Sequence, residues 1–224
     1  MVSLTCDSSS LIALAETCNL GVLGFLSKEA GASFLIPPFV KDEIISRPLK
    51  AREHAFSALR LRKQLDDGFL RISSSPSIMR DTHEVLNAAN TLFRVRGKHL
   101  KLLHDGEAQA LALFKSAKVD ALLVDEKTLR LLIESPKTLA VKIEGEYDET
   151  VEIDEKSANK LKKYTRGVFV MRSSELLAVA FKKGFFDSFG SGSQDVFQAA
   201  VFALRKAGCS LTNNELSAYN TVLD

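Results

Sequence analysis

Acidic residues stand just beyond two short apolar runs of this chain. Asp7 follows residues 2–6, and the pair Asp125 and Glu126 follows residues 121–124. Short apolar runs of this length are typical of buried strands, and open α/β sheets build their sites beyond the carboxyl ends of the strands. We therefore expect carboxylates from both places to meet at one edge of a sheet.

Two more acids lie at the starts of predicted helices. Glu43 follows Pro37-Pro38, and Glu107 lies in the first turn of an alanine-rich helix that opens at Asp105. Crowded carboxylates stay ionised together only where a cation neutralises them, and Mg²⁺ and Mn²⁺ prefer carboxylate oxygen. The joint pattern predicts a divalent-metal site, and phosphodiester cleavage is the chemistry that such a site suits.

The elements that must position these acids alternate along the chain. Strands are predicted at residues 3–6, 33–36, 69–72, 119–124 and 168–171. Helices are predicted at residues 9–16, 20–28, 49–65, 82–95, 105–114, 127–134, 174–183, 194–206 and 212–222, with one more beginning at Pro38. Alternation of this kind indicates a doubly wound parallel sheet with right-handed crossovers.

Residues 135–167 interrupt that alternation within what we expect to be a single domain over residues 1–224. A β-hairpin is predicted over residues 138–153 and a charged helix over residues 155–164. The hairpin prediction rests on apolar residues that alternate with polar ones on both sides of a Glu-Gly-Glu turn: Leu139, Val141, Ile143, Val151 and Ile153.

The composition is typical of a globular enzyme, with 46% hydrophobic and 26% charged residues and a net charge of +2. No apolar stretch approaches the roughly 20 residues that a spanning helix needs, so we expect no membrane segment. The first residues lead directly into a strand without a basic leader, and the three cysteines are odd in number and far apart. These features favour a cytoplasmic protein with reduced thiols over a secreted one.

Positive charge is concentrated in residues 41–101, which hold 13 Lys and Arg against 7 Asp and Glu. Basic helices beside an acidic pocket would hold a phosphate backbone while the metal site performs the chemistry. Solvated helix faces explain the same excess equally well, because no aromatic residues alternate with the charges.

The acidic motifs together resemble those of PIN-domain proteins, a nuclease family that includes toxins of prokaryotic toxin–antitoxin pairs. Residues 7–12 are similar to the opening Asp-x-Ser/Thr-x-Leu-Ile of the family, and residues 36–43 to its proline followed by Val-x-x-Glu. Residues 106–111 resemble the third motif in its Gly-Glu-Ala form, and residues 122–127 with Arg130 the fourth. Each motif alone is weak, but four in order are fairly specific. They span residues 3–134, and residues 168–223 resemble the C-terminal third of the family.

The resemblance implies a three-layer α/β/α fold with a mainly parallel central sheet. It also implies a Mg²⁺- or Mn²⁺-dependent ribonuclease in which a metal-activated water hydrolyses the phosphodiester. In the usual arrangement of the family, Asp7 and Asp125 would hold the metal. Glu43 and Glu107 would complete the pocket and orient water, with Glu107 a further candidate ligand.

Two side chains near the acids have expected roles toward substrate. Ser9 would hydrogen-bond Asp7 or a phosphate oxygen, and Arg130 would clamp a phosphate or steady the acids. The fourth acid stays open between Asp125 and Glu126, because the sequence reads Val-Asp-Glu where the family often has Thr-x-Asp. Side chains one residue apart at a strand end diverge, so only one of the two is expected to face the metal, and we favour Asp125.

The remaining expectations concern the third acid, the partners and the rival functions. Asp105 is a fallback for Glu107, which is a Glu where the family more often has Asp. RNA is the expected substrate, a homodimer the expected assembly and a small antitoxin a candidate partner. One alternative is a module of the same fold that binds RNA or protein without cutting, and another is a phosphohydrolase of small substrates, which would have no use for the basic excess.

Overall fold

The computed structural model describes residues 2–221. Eight strands occur in this part of the chain: β1 Ser3–Cys6, β2 Ser33–Ile36, β3 Leu70–Ile72, β4 Phe93–Val95, β5 Lys98–His99, β6 Ala121–Leu123, β7 Glu152–Ile153 and β8 Val170–Met171. Five of them form the central sheet in the order β3-β2-β1-β6-β8, and every neighbouring pair in it is parallel. β1 therefore lies at the centre of this sheet, with β2 and β3 on one side and β6 and β8 on the other.

The described helices are α1 Ser8–Glu16, α2 Gly21–Glu29, α3 Pro38–Lys41, α4 Arg47–Ala51, α5 Ala55–Asp66, α6 Ile78–Asn90, α7 Asp105–Ala117, α8 Lys127–Glu134, α9 Pro136–Tyr147, α10 Glu155–Thr165, α11 Ser173–Lys182, α12 Ser193–Lys206 and α13 Asn213–Thr221. A π-helical turn, Asp42–Ser46, joins α3 to α4, and a 3₁₀ turn, Asp187–Gly192, precedes α12. Residue 222, the last of the predicted C-terminal helix, lies outside the described residues.

Helices cover both faces of the central sheet. Successive strand residues point to opposite faces, and on β6 Leu122 and Leu123 belong to two different clusters of buried residues. The cluster of Leu123 includes α1, α2, α11 and α12, whereas that of Leu122 includes α6 to α10. The predicted three-layer α/β/α architecture is confirmed.

The predicted hairpin over residues 138–153 is wrong, because residues 136–147 form the helix α9. Leu139 and Ile143 are buried and lie one helical turn apart, while Val141 between them is 66% exposed. The alternation that suggested a strand is therefore a helical i, i+4 pair, and Pro136 at the first turn starts the helix. The charged helix predicted over residues 155–164 is present as α10.

A second small sheet was not predicted. The helix predicted over residues 82–95 ends at Asn90, and β4 pairs antiparallel with β5 and with β7 in the order β5-β4-β7. Arg96 and Gly97 both have positive φ, 52° and 73°, which makes the tight turn between β4 and β5. The Arg-Gly pair is therefore a hairpin turn and not a helix end.

The helix predicted over residues 49–65 is also interrupted. Arg52 and His54 adopt left-handed backbone conformations, with φ of 64° and 57°, so α4 ends before them and α5 begins after them. In residues 2–221 no single helix is long and apolar enough to cross a membrane. The pair α1 and α2 passes that test together, but the two helices are bent by 108° and belong to the buried core.

Candidate functional site

Asp7 directly follows β1 and caps the N-terminus of α1. Its Oδ2 accepts hydrogen bonds from the backbone N–H of Ser9 at 3.1 Å and from Ser9 Oγ at 2.7 Å. The residue is only 2% exposed, and in the described part of the chain its Oδ1 is buried without a hydrogen-bond partner. Burial raises the pKa of Asp7 to about 6 against the lowering effect of the Ser9 bonds, and repulsion by Glu43 adds to the rise.

Ser9 ties this acid to the end of the neighbouring strand β6. Its Oγ donates to Asp7 and accepts from the backbone N–H groups of Asp125 and Glu126 at 3.1 and 3.3 Å. The Asp7 backbone N–H in turn donates to the Leu123 carbonyl at 2.9 Å. Of the two roles predicted for Ser9, the structure shows the bond to Asp7, and the hydroxyl is already engaged on both sides.

Glu43 reaches the same place from the π-helical turn. Its Oε2 accepts from Ser8 Oγ at 2.6 Å. A Cβ at position 106 would lie 2.5 Å from that Oε2, so a larger residue there would displace the Glu43 carboxylate from the start of α7. A π-turn of this kind is frequent at functional sites, because it re-aims side chains within a helix.

Glu107 lies in the first turn of α7. Its Oε2 accepts from the His104 backbone N–H at 2.6 Å. Burial raises the pKa of Glu107 to about 8, and repulsion by Asp7, Glu126 and Glu43 adds to the rise. These four carboxylates therefore act on one another electrostatically, and we call Asp7, Glu43, Glu107 and Glu126 the acidic cluster.

Asp125 does not belong to the acidic cluster. It is fully buried, and its two oxygens accept from the backbone N–H and Oγ of Ser173 at 2.7 and 2.6 Å. Burial raises the pKa of Asp125, while the Ser173 bonds and the nearby Arg172 lower it. The carboxylate is thus committed to joining the end of β6 to the start of α11.

Glu126 is the member of the pair that lies with the other acids. It caps α8, with Oε2 accepting from the Leu129 N–H at 2.6 Å, and it is partly exposed. Its charge is one of those that raise the pKa of Glu107. The two neighbouring side chains diverge as expected, and the preference for Asp125 as the fourth acid stays a prediction.

Arg172 was missed by the sequence interpretation. It is 7% exposed and lies between Glu175 and Glu215, at 2.9 and 2.7 Å, with a further bond to the Ser210 carbonyl at 3.0 Å. It therefore fastens α13 and the preceding loop behind Asp125. An arginine directly after a predicted strand was the available signal, because such a position is buried only if the charge is paired.

Two other predicted residues lie apart from the acidic cluster. Arg130 on α8 is turned toward Glu134, 3.5 Å away, and its Nε is buried without a hydrogen-bond partner within the described residues. Asp105 is exposed at the first position of α7. The structure thus shows no contact of Arg130 or Asp105 with the four acids.

The donor set suits a hard divalent cation. Asp7 leaves one buried oxygen free, and the mutual repulsion of the acids would be relieved by positive charge among them. Within residues 2–221 no three acidic, His or Cys side chains are gathered into a ready metal cage. Mg²⁺ takes only one or two carboxylates directly and keeps several waters, so an open arrangement of acids fits it.

Part of the predicted basic excess is neutralised. Arg47 pairs with Asp42 at 2.8 Å, Lys63 with Asp67 at 2.9 Å and Arg96 with Glu149 at 2.9 Å. Exposed pairs of this kind contribute little to stability, but they reduce the charge that these helices offer to a phosphate backbone. Both interpretations of the basic excess, phosphate binding and solvated helix faces, therefore stay predictions.

The comparison with known families gives one match. A family model described as a PIN domain matches residues 3–146, which include all four members of the acidic cluster and most of α9. No curated protein and no solved structure matches the chain.

Proposed function

The chain belongs to the PIN-domain family, and on that premise we propose that it is a divalent-metal-dependent ribonuclease that hydrolyses phosphodiester bonds with water. The observation that carries the proposal is the state of Asp7. This carboxylate is buried, its Oδ1 has no hydrogen-bond partner among the described residues, and its pKa is raised to about 6. A buried acid in this state is suited to a cation and is costly without one.

The residues divide into those that would hold the cation and those that position them. Asp7, Glu107 and Glu126 would hold it, directly or through its waters. When bound, Mg²⁺ or Mn²⁺ supplies positive charge beside the phosphate and lowers the pKa of water. Ser9 fixes Asp7, since it also accepts from the backbone at the end of β6.

Glu43 has a different part in this proposal. Ser8 fixes its Oε2, which leaves Oε1 to accept a hydrogen bond from the water that attacks phosphorus. A side chain that accepts a proton from the attacking water works best when it is held at hydrogen-bond distance from that water. Gly106 allows the required approach of α7 to Glu43.

The test is cleavage of a mixed single-stranded RNA pool in Mg²⁺, Mn²⁺ or EDTA by the wild type and by Asp7→Asn. We expect metal-dependent cutting that Asp7→Asn reduces on the order of 10²–10³-fold. Asp66→Asn is the matched control, because Asp66 is exposed on α5 and far along the chain from the four acids. Cutting that survives both in EDTA and in Asp7→Asn would overturn the proposal.

A second candidate is a PIN-fold module that binds RNA without cutting it. The observation in its favour is that the described residues hold no ready metal cage. This candidate predicts that wild type and Asp7→Asn bind RNA equally, that neither cuts, and that neither responds to Mg²⁺. The same RNA pool, examined by binding in EDTA and by cleavage in Mg²⁺, separates the two.

We propose RNA as the substrate, a second copy of the chain as a partner, a small inhibitory antitoxin as another, and the cytoplasm as the location. Family membership and the acidic cluster support a nuclease, while these finer statements rest on the resemblance of the motifs. Light scattering of the full chain tests the dimer. A chain that elutes and scatters as a monomer at all concentrations would remove that part of the proposal.

A further inference from the structure

A cleft of about 220 Å³ lies between the start of α8, the helix α9 and the loop that leads into α7. Three lysines line it, Lys101, Lys127 and Lys142, against one acid, Glu146, so the lining carries two net positive charges. In residues 2–221 none of the three lysines forms an ion pair within 4.0 Å. We call this the lysine cleft.

Lys142 on α9 and Lys127 at the first position of α8 line the same cleft. The positive charge of Lys127, and that of Arg130, lowers the pKa of Lys142, with Glu146 opposing the effect. Two like charges held together in this way are stabilised when an anion lies between them.

The rest of the lysine cleft is suited to a flat apolar group. Tyr147 is 50% exposed on the same face of α9 as Ile143, one turn away, and Leu102 and Leu131 line the opposite side. An aromatic ring next to cationic side chains is the combination that holds one nucleotide, its base stacked and its phosphate paired. A free inorganic anion would have no use for the apolar side.

The loop that carries Lys101 is held in place by Asn90. The Asn90 Oδ1 accepts from the backbone N–H groups of Leu102 and Leu103 at 2.7 and 2.9 Å, and its Nδ2 donates to the Leu103 carbonyl at 3.0 Å. The shape of the lysine cleft is therefore fixed by the end of α6 and does not depend on a mobile loop.

The lysine cleft adjoins the acidic cluster along the chain at two points. Lys127 directly follows Glu126, so their Cα atoms are about 3.8 Å apart. The Lys101 loop runs into His104, whose backbone N–H donates to Glu107. This adjacency along the chain is the reason to place a neighbouring nucleotide of the same RNA strand in the cleft.

We propose that the lysine cleft binds a nucleotide of single-stranded RNA that flanks the cleaved phosphodiester, with its phosphate between Lys127 and Lys142 and its base against Tyr147. The position of this nucleotide next to the cleaved bond rests on the proposed function. Its binding to the cleft can be measured without cleavage. Phosphate contacts position a strand and carry no sequence information. The cleft therefore sets the register of the strand and not its sequence.

The experiment measures the affinity of the full chain for a fluorescently labelled single-stranded RNA oligonucleotide by anisotropy, in EDTA, over a range of salt. The variant is Lys127→Gln with Lys142→Gln. The charge-matched control is Lys115→Gln with Lys182→Gln, two exposed lysines that do not line the cleft. A third protein, Lys127→Arg with Lys142→Arg, keeps the charge, and thermal melting shows whether each variant is folded.

We expect the Gln pair to weaken binding about tenfold and to reduce the slope of log affinity against log salt by about 1 to 2, because two phosphate contacts are lost. The control pair and the Arg pair should stay close to wild type. Equal affinity of the Gln pair and the control pair overturns the lysine cleft, as does a wild type that does not bind RNA.

Cleavage in Mg²⁺ separates this proposal from the proposed function. A wild type that cuts RNA while the Gln pair binds and cuts normally removes the cleft and leaves the nuclease. A wild type that binds but never cuts, with the Gln pair still weakened, removes the nuclease and leaves the cleft as an RNA-binding site.

Discussion

Asp7 and Asp125 occupy matching places in the fold and have opposite surroundings. Each stands beyond the end of a parallel strand, and β1 and β6 are neighbours in the sheet. Both carboxylate oxygens of Asp125 accept from Ser173, whereas the Asp7 carboxylate accepts from Ser9 through Oδ2 and leaves Oδ1 unpartnered among the described residues. Position at a strand end therefore does not decide the role of an acid, because the role depends on whether the protein itself satisfies the carboxylate.

The comparison also explains why one strand end is open and the other is closed. Arg172 and Ser173 follow β8, the neighbour of β6, and they close over Asp125 from that side. Asp7 is approached by Glu43 and Glu107 instead, which repel it. The sheet edge is thus divided into a part held by hydrogen bonds and a part where carboxylates repel one another, and the second part is where we propose that a cation binds.

The largest expected effect comes from Asp7→Asn. Besides the loss of cleavage on the order of 10²–10³-fold, we expect the metal-free variant to be more stable than wild type near pH 8, by up to about 3 kcal/mol. The reason is that the ionised Asp7 is disfavoured by burial, while an Asn oxygen can still accept from Ser9. Urea unfolding in EDTA measures it, and a destabilised variant would contradict the account of Asp7 as an unsatisfied acid.

The next effect separates Glu126 from its neighbour Asp125. Glu126→Gln should reduce cleavage roughly 10- to 100-fold and leave the fold unchanged, because the Gln oxygen can still cap α8 by accepting from Leu129. Cleavage rates in Mg²⁺, normalised to folded protein, provide the measurement. A variant that cuts at the wild-type rate would favour Asp125 as the fourth acid of the site.

The central features of the fold could be predicted because short apolar runs with a polar residue at each end have few alternatives. β1 and β2 and the helix α8 have the predicted bounds. The second sheet could not be predicted, since β5 and β7 are two residues each and β7 pairs with β4, which lies far earlier in the chain. Likewise, the helix α9 was mistaken for a hairpin because Leu139 and Ile143 fit both periods.

The positions of the acids at strand and helix ends could be predicted, but the orientation of their side chains could not. The choice between Asp125 and Glu126 depends on Ser173, which lies 48 residues away and reaches Asp125 only after the chain has added β8. No local pattern around residue 125 contains that information. The same holds for Arg172, whose partner Glu215 lies on α13.

Asp125→Asn is expected to act on stability and not directly on chemistry. An Asn in this place sets an NH₂ group against one of the two donors of Ser173, so a buried polar pair is lost. We expect a loss of about 1–3 kcal/mol in the free energy of unfolding, measured by urea unfolding at pH 7. Combining it with Ser173→Ala in a double-mutant cycle should show strong coupling, and additive effects would mean that the two residues act independently.

The last effect is the response of thermal stability to pH and Mg²⁺, which combines the contributions of two acids. The pKa of Asp7 is raised from 3.8 to about 6 and that of Glu107 from 4.5 to about 8. Between the unfolded and folded values the native state holds more protons than the unfolded chain, so stability falls as the pH rises from about 5 to about 8. Glu215, with its pKa lowered to about 2, acts in the opposite direction but only below about pH 4.5.

In EDTA we therefore expect the melting temperature to fall by about 10 °C or more between pH 5 and pH 8, and Mg²⁺ to raise it at pH 8 far more than at pH 5. Cation binding requires the ionised acids, and ionisation is what the native state resists in the absence of a cation. Asp7→Asn should weaken both responses, while Asp66→Asn should retain them. A melting temperature that does not depend on Mg²⁺ at pH 8 would mean that Asp7, beyond β1, has a structural role like that of Asp125, beyond β6, and binds no cation.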